Sequence, residues 1–87
     1  MKLKFQFTTN VIADQYVAVA VGETQGFNGF VKMNDVCNEI FEMLKVGATA
    51  EALEDHLIEK FSCTKEEAAE AVSGFTASLK AKGILED

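Results

Sequence analysis

The stretch Leu57-Ile58-Glu59-Lys60-Phe61-Ser62-Cys63-Thr64-Lys65-Glu66-Glu67-Ala68 decides the fold, because it closes one amphipathic helix and opens another across a very short turn. Upstream of it, Thr49 is a side-chain cap for a helix over residues 50–61. That helix carries Leu53, Leu57, Ile58 and Phe61 on one face and Glu51, Glu54, Asp55 and Glu59 on the other. Downstream, Thr64-Lys65-Glu66-Glu67 matches the capping box, in which threonine and the glutamate three residues on satisfy each other's backbone donors. The spacing of Ala68, Val72, Phe75 and Leu79 predicts a third helix over about 65–82. Gly83 is its stop, and Ile84-Leu85 can fold back on the core.

Working towards the N-terminus, Asn34 caps a first helix over about 35–46 whose apolar positions Val36, Cys37, Ile40, Phe41, Met43 and Leu44 recur every three or four residues, with Gly47 as its stop. Before Asn34 the period changes to two. Lys2-Leu3-Lys4-Phe5-Gln6-Phe7 alternates as a strand with one wet face does, and Thr8-Thr9-Asn10 is a turn-like polar patch before Val11-Ile12-Ala13. Tyr16–Val21 reads as a central strand covered on more than one side. The glycine-rich residues Gly22 to Gly29 read as a turn into a short strand, Phe30–Met33. The expectation is one α+β domain over residues 1–87, with a small antiparallel β-meander within 1–33 followed by three helices. Helix, tight turn, helix beside a small sheet is a winged-helix-turn-helix-like layout.

The charge is uneven, and its distribution excludes several function classes. The net charge is −6 and every basic residue is a lysine. Residues 1–34 hold three lysines against two carboxylates, whereas 35–70 hold three against ten. An arginine-free acidic chain lacks the usual reader of phosphates and guanine edges. Glu66, Glu67 and Glu70 stand where a recognition helix would meet DNA, so each would repel the backbone. Nucleic acid is therefore not an expected partner, and neither is a membrane. The longest apolar run, Tyr16–Val21, is far short of the roughly 20 residues that span a bilayer, and the start of the chain lacks a signal-peptide pattern. A cytoplasmic location is expected.

Catalytic and cofactor motifs are missing as well. The one histidine, His56, has no second histidine at ligand spacing, and it reads as a solvated helix residue. Cys37 and Cys63 lack CxxC spacing and read as reduced, packed thiols. There is no phosphate-cradling glycine loop and no nucleophile elbow. The carboxylates lie on polar helix faces where they stay ionised, and no serine sits in a carrier-protein context. No enzymatic activity, cofactor or metal is expected, and a binding module is the remaining class.

The segments Phe30-Val31-Lys32-Met33-Asn34 and Ile40-Phe41-Glu42-Met43-Leu44, then Gly47, Leu57, Phe61, Leu79 and the closing Gly83-Ile84-Leu85, resemble the pattern of the PqqD family. That family comprises coenzyme PQQ synthesis protein D and related peptide chaperones, also called RiPP recognition elements. The resemblance runs from about Tyr16 to Leu85, with Met33 in place of the usual leucine, a change that conserves volume. It implies a non-catalytic adaptor; a monomer or weak dimer is expected. Such an adaptor binds the leader segment of a ribosomally made precursor peptide by strand addition and presents it to a modifying enzyme, often a radical SAM protein. The implied peptide site is Phe30, Val31, Lys32 and Met33 on the edge strand, with Val31 and Met33 inward and Phe30 and Lys32 outward, together with Ala69, Val72 and Thr76 on the last helix. The core stripe leaves Ala69 and Thr76 on one shoulder of that helix and Ala71 and Ser78 on the other, and either shoulder could face the strand. The alternative is a divergent winged-helix transcriptional regulator acting through protein contacts or dimerisation, motivated by the tight Ser62–Thr64 turn.

Overall fold

The computed structural model describes residues 1–22 and 29–86, so what the sequence says of residues 23–28, the middle of the glycine-rich turn, lies outside the described residues. In chain order the elements are β1 (Lys2–Leu3), β2 (Gln6–Ile12), β3 (Gln15–Val21), β4 (Phe30–Met33), α1 (Asp35–Val46), α2 (Ala50–Phe61), α3 (Lys65–Ala81) and β5 (Leu85–Glu86). The α+β class and the sheet-then-three-helices order hold. Strands β2, β3 and β4 form an antiparallel sheet in that order, and β1 pairs separately with β5.

The N-terminal strands differ from the sequence expectation in two ways. The run Lys2–Phe7 is broken at Lys4 and Phe5: β1 pairs with the end of the chain, Leu3 opposite Leu85, and the Lys4 N–H donates to the Ile84 carbonyl at 2.9 Å. The patch Thr8-Thr9-Asn10 is the middle of β2, with Thr9 opposite Ala18, and the reversal lies at Ala13-Asp14. Both of these residues have left-handed backbone (φ 50° and 66°), the geometry of a two-residue hairpin turn, where asparagine and glycine are the familiar occupants. Alanine there hides the turn. Threonine, in contrast, suits a pleated surface, so the register takes Thr8 and Thr9 into the ladder.

Strand β3 is central, but only one face of it is covered. Phe7, Ala18, Val31 and Met33 point inward and are buried, whereas Val19 and Val21 on the opposite face remain 43% and 47% exposed. That inner face packs on α1 and α3 in a single cluster around Ile40, Phe41, Leu44, Leu57, Leu79 and Ile84, all essentially inaccessible to water. Each such side chain stabilises the fold by about 1.5–3 kcal/mol relative to exposure. Phe41 joins the layers: its ring meets Phe7 edge-on at 5.1 Å and tilts against Phe75 at 6.4 Å.

Helix ends follow the capping residues. Asn34 accepts the Cys37 N–H at 2.8 Å, Thr49 accepts the Ala52 N–H at 3.1 Å, and both arms of the Thr64–Glu67 capping box are made. Helix α3 stops in a Schellman arrangement, with the Gly83 N–H on the Lys80 carbonyl and the Ile84 N–H on that of Leu79. This delivers Ile84 and Leu85 to the core. The left-handed Ser62 (φ 55°) turns α2 into α3.

His56 is not a purely solvated residue. Its Nε2–H donates to Glu39 Oε1 of α1 at 2.8 Å, while Lys60 Nζ reaches Glu39 Oε2 at 2.9 Å. Two donors on one half-buried carboxylate hold its pKa below the ordinary 4.5, the histidine bond contributing most. The pair ties α2 to α1.

Candidate functional site

The local sequence of β4 makes it an edge. Phe30–Met33 alternates exposed and buried, with Val31 and Met33 inward and Phe30 and Lys32 outward. One side of β4 is taken by β3, Lys32 opposite Val17 and Met33 opposite Tyr16. Among the described residues no strand pairs with its other side. Alternate residues of this short strand therefore turn backbone donors and acceptors sideways, and α3 lines the groove beside them.

Between β4 and α3 lies an open groove of about 760 Å³. Phe30 to Met33 form one wall; Phe75 and Ser78 of α3, with its capping residue Lys82, form the other. Asn34 and Cys37 at the start of α1 make its end, with Asp14 and Gln15 of the hairpin beside them. The groove runs on into a shallower hollow over Val36, Cys37, Ala71, Gly74 and Phe75, flanked by Glu67 and Glu70. Gly74 faces open space, and its missing side chain keeps this hollow wide. Burial pushes the Cys37 thiol above its ordinary 9.0, partly offset by its hydrogen bond with the Asn34 backbone, which favours the protonated, weakly polar form in the groove wall.

The geometry selects one shoulder of α3. Ser78 lines both parts of the groove and Ala71 the shallower one. Ala69 lies off the groove, and Val72 and Thr76 turn to the core at 2% and 7% exposure, whereas the sequence expectation put all three on the peptide-facing wall. The reason is a rotation of the helix about its axis. Thr76 satisfies its hydroxyl within α3, donating to the Val72 carbonyl at 2.7 Å, and can therefore occupy a buried position that the sequence pattern gave to Phe75. Phe75 is only half-buried and becomes the groove's aromatic wall. A stripe of Ala71, Gly74, Phe75 and Ser78, small residues around one aromatic, was the available signal in the sequence. Among the described residues no group of three histidine, cysteine, aspartate or glutamate side chains could hold a metal ion, and no helix is long and apolar enough to cross a membrane.

The family model for coenzyme PQQ synthesis protein D (PqqD) matches residues 15–85. The chain belongs to the PqqD family. The matched segment begins with β3 and ends in β5, so it contains both walls of the groove and leaves out β1 and β2. Among solved structures, TbiB1 in complex with the TbiA(beta) leader peptide shares the PqqD-like fold of this chain, with a TM-score of 0.77 over 99% of this chain and 95% of that one. Their sequences are 20% identical. No curated protein matches the chain in sequence.

Proposed function

We propose that this PqqD-family chain holds the leader segment of a ribosomally made precursor peptide as an added strand on β4, against α3, and presents it to a modifying enzyme of the radical SAM type. The observation that carries the reading is the sideways-facing edge of β4 opening into a groove whose far wall is a helix. Strand addition draws affinity from main-chain hydrogen bonds and specificity from alternate side-chain pockets, and this groove offers both. The TbiB1 complex, which has the same fold, is a leader-peptide complex and supports the reading. The chain acts here as an adaptor without chemistry of its own. Its groove presents Phe75, Cys37 and Ser78 between Lys32 and Lys82 towards one end and Glu67 and Glu70 towards the other, a lining suited to holding a peptide. The exposed Glu66, Glu67 and Glu70 at the start of α3 disfavour a DNA-reading role for the same helix.

The test is a titration of the isotopically labelled protein with the leader of a small precursor encoded beside its gene. Backbone amide shifts are expected to cluster on residues 30–33 and on Ala71 to Lys82. Shifts confined to other elements would overturn the placement.

A further inference from the structure

Resting on that reading of the groove, we propose that it is electrically polar along its length. The leader segment it selects has an acidic end, an apolar or aromatic middle and a basic end. The lysines Lys32 and Lys82 line the part bounded by β4. The carboxylates Glu67 and Glu70 flank the part that continues past Cys37, over the start of α1. Asp14 belongs with the acidic end: Tyr16 pairs with Met33, so the hairpin tip lies beyond the last residue of β4, towards Asn34. Between the two ends the lining is Asn34, Cys37, Phe75 and Ser78, shared by both parts.

These charges are not spent elsewhere in the fold. Lys45, Lys60 and Lys65 are in ion pairs with Glu42, Glu39 and Glu54. Lys32, Lys82, Asp14 and Glu70 make no ion pair among the described residues, and Lys32 only lies over the Phe30 ring at 5.7 Å. Glu67 shares its carboxylate with the Thr64 N–H, which leaves its charge in place. A strand added to β4 sets a side chain directly opposite Lys32 at cross-strand distance, where a carboxylate is favoured and an ammonium is repelled. The next inward side chain reaches Phe75, and the segment leaves past Glu70, where the preference is reversed. Such a groove fixes the direction in which a leader lies, because the wrong direction puts like charges together at both ends.

The test uses short synthetic peptides with a fixed alternating leucine and threonine centre. One carries aspartates before the centre and lysines after it, a second carries the reverse order, and a third has asparagine and glutamine at both ends. Each is titrated into the full-length labelled protein at low and high salt. One charge order is expected to bind about fivefold tighter than the other at low salt, with the gap closing at high salt. The exposed pair of changes Lys82→Glu and Glu70→Lys, in a protein whose amide spectrum shows it folded, is expected to abolish or invert that preference. Equal binding of both orders, with shifts still on β4, would overturn the polarity and leave the groove standing. If none of the three peptides shifted β4, strand addition at that edge would fail together with the polarity.

Discussion

Phe41→Ala removes a ring that touches both the sheet and the groove helix. Phe41 is completely buried, with Phe7 edge-on at 5.1 Å on one side and Phe75 at 6.4 Å on the other. Truncating a buried phenylalanine to alanine costs about 3–5 kcal/mol, and the aromatic contacts place this site in the upper part of that range. A chain of this length has a total stability of about 4–13 kcal/mol, so a third or more is lost. Phe41→Leu keeps most of the volume and is expected to cost about 1.5 kcal/mol. Urea unfolding followed by far-ultraviolet circular dichroism measures both, with the midpoint falling and the slope unchanged. The leucine variant, still folded, should also bind leader peptide more weakly, because Phe75 loses the ring behind it. An alanine cost below about 1 kcal/mol, or a leucine cost equal to it, would refute the view that Phe41 is the joint between layers.

Two further outcomes follow from backbone and charge. Ala13→Asn with Asp14→Gly puts residues suited to left-handed backbone into the β2–β3 turn and should stabilise by about 1 kcal/mol, raising Tm by about 4–8 °C; an unchanged Tm would show the turn to be unstrained. Glu39 has a lowered pKa, so the folded state holds that proton less tightly than the unfolded chain does. Its contribution is complete above about 4.5 and is lost as pH falls through the lowered value. The urea midpoints of the native protein and Glu39→Gln should therefore differ most near neutrality and converge in acid, and a constant difference would contradict the assignment.

The helices were legible because their signals are local and redundant. Asn34, Thr49 and Thr64 each bond the backbone three residues on, and the period of Leu53, Leu57 and Phe61 needs no partner to be seen. The sheet was harder to read. Its hairpin turns on an alanine, and the β1–β5 ladder joins residues from opposite ends of the chain, which no window of sequence contains. The edge role of Phe30–Met33 was visible in its alternation, with Val31 and Met33 buried as expected. The helix wall was not visible, because a helix with small residues on both shoulders has no intrinsic preference for either. Packing decided it, by accepting Thr76 inward once its hydroxyl was satisfied within the helix.

The β1–β5 ladder has a consequence for building with this chain. Lys2 stands opposite Glu86, and the Met1 ammonium donates to the Ala48 carbonyl just past the C-terminal end of α1, whereas Asn34 and Cys37, at one end of the groove, lie about 18 Å away at the other end of that helix. Paired antiparallel strands bring their backbones within about 5 Å. Two splice junctions that close fit the gap of an ordinary surface loop, so residues 2–86 suit insertion into a host enzyme, with the Asn34 and Cys37 end of the groove set away from the seams and Lys82 beside them.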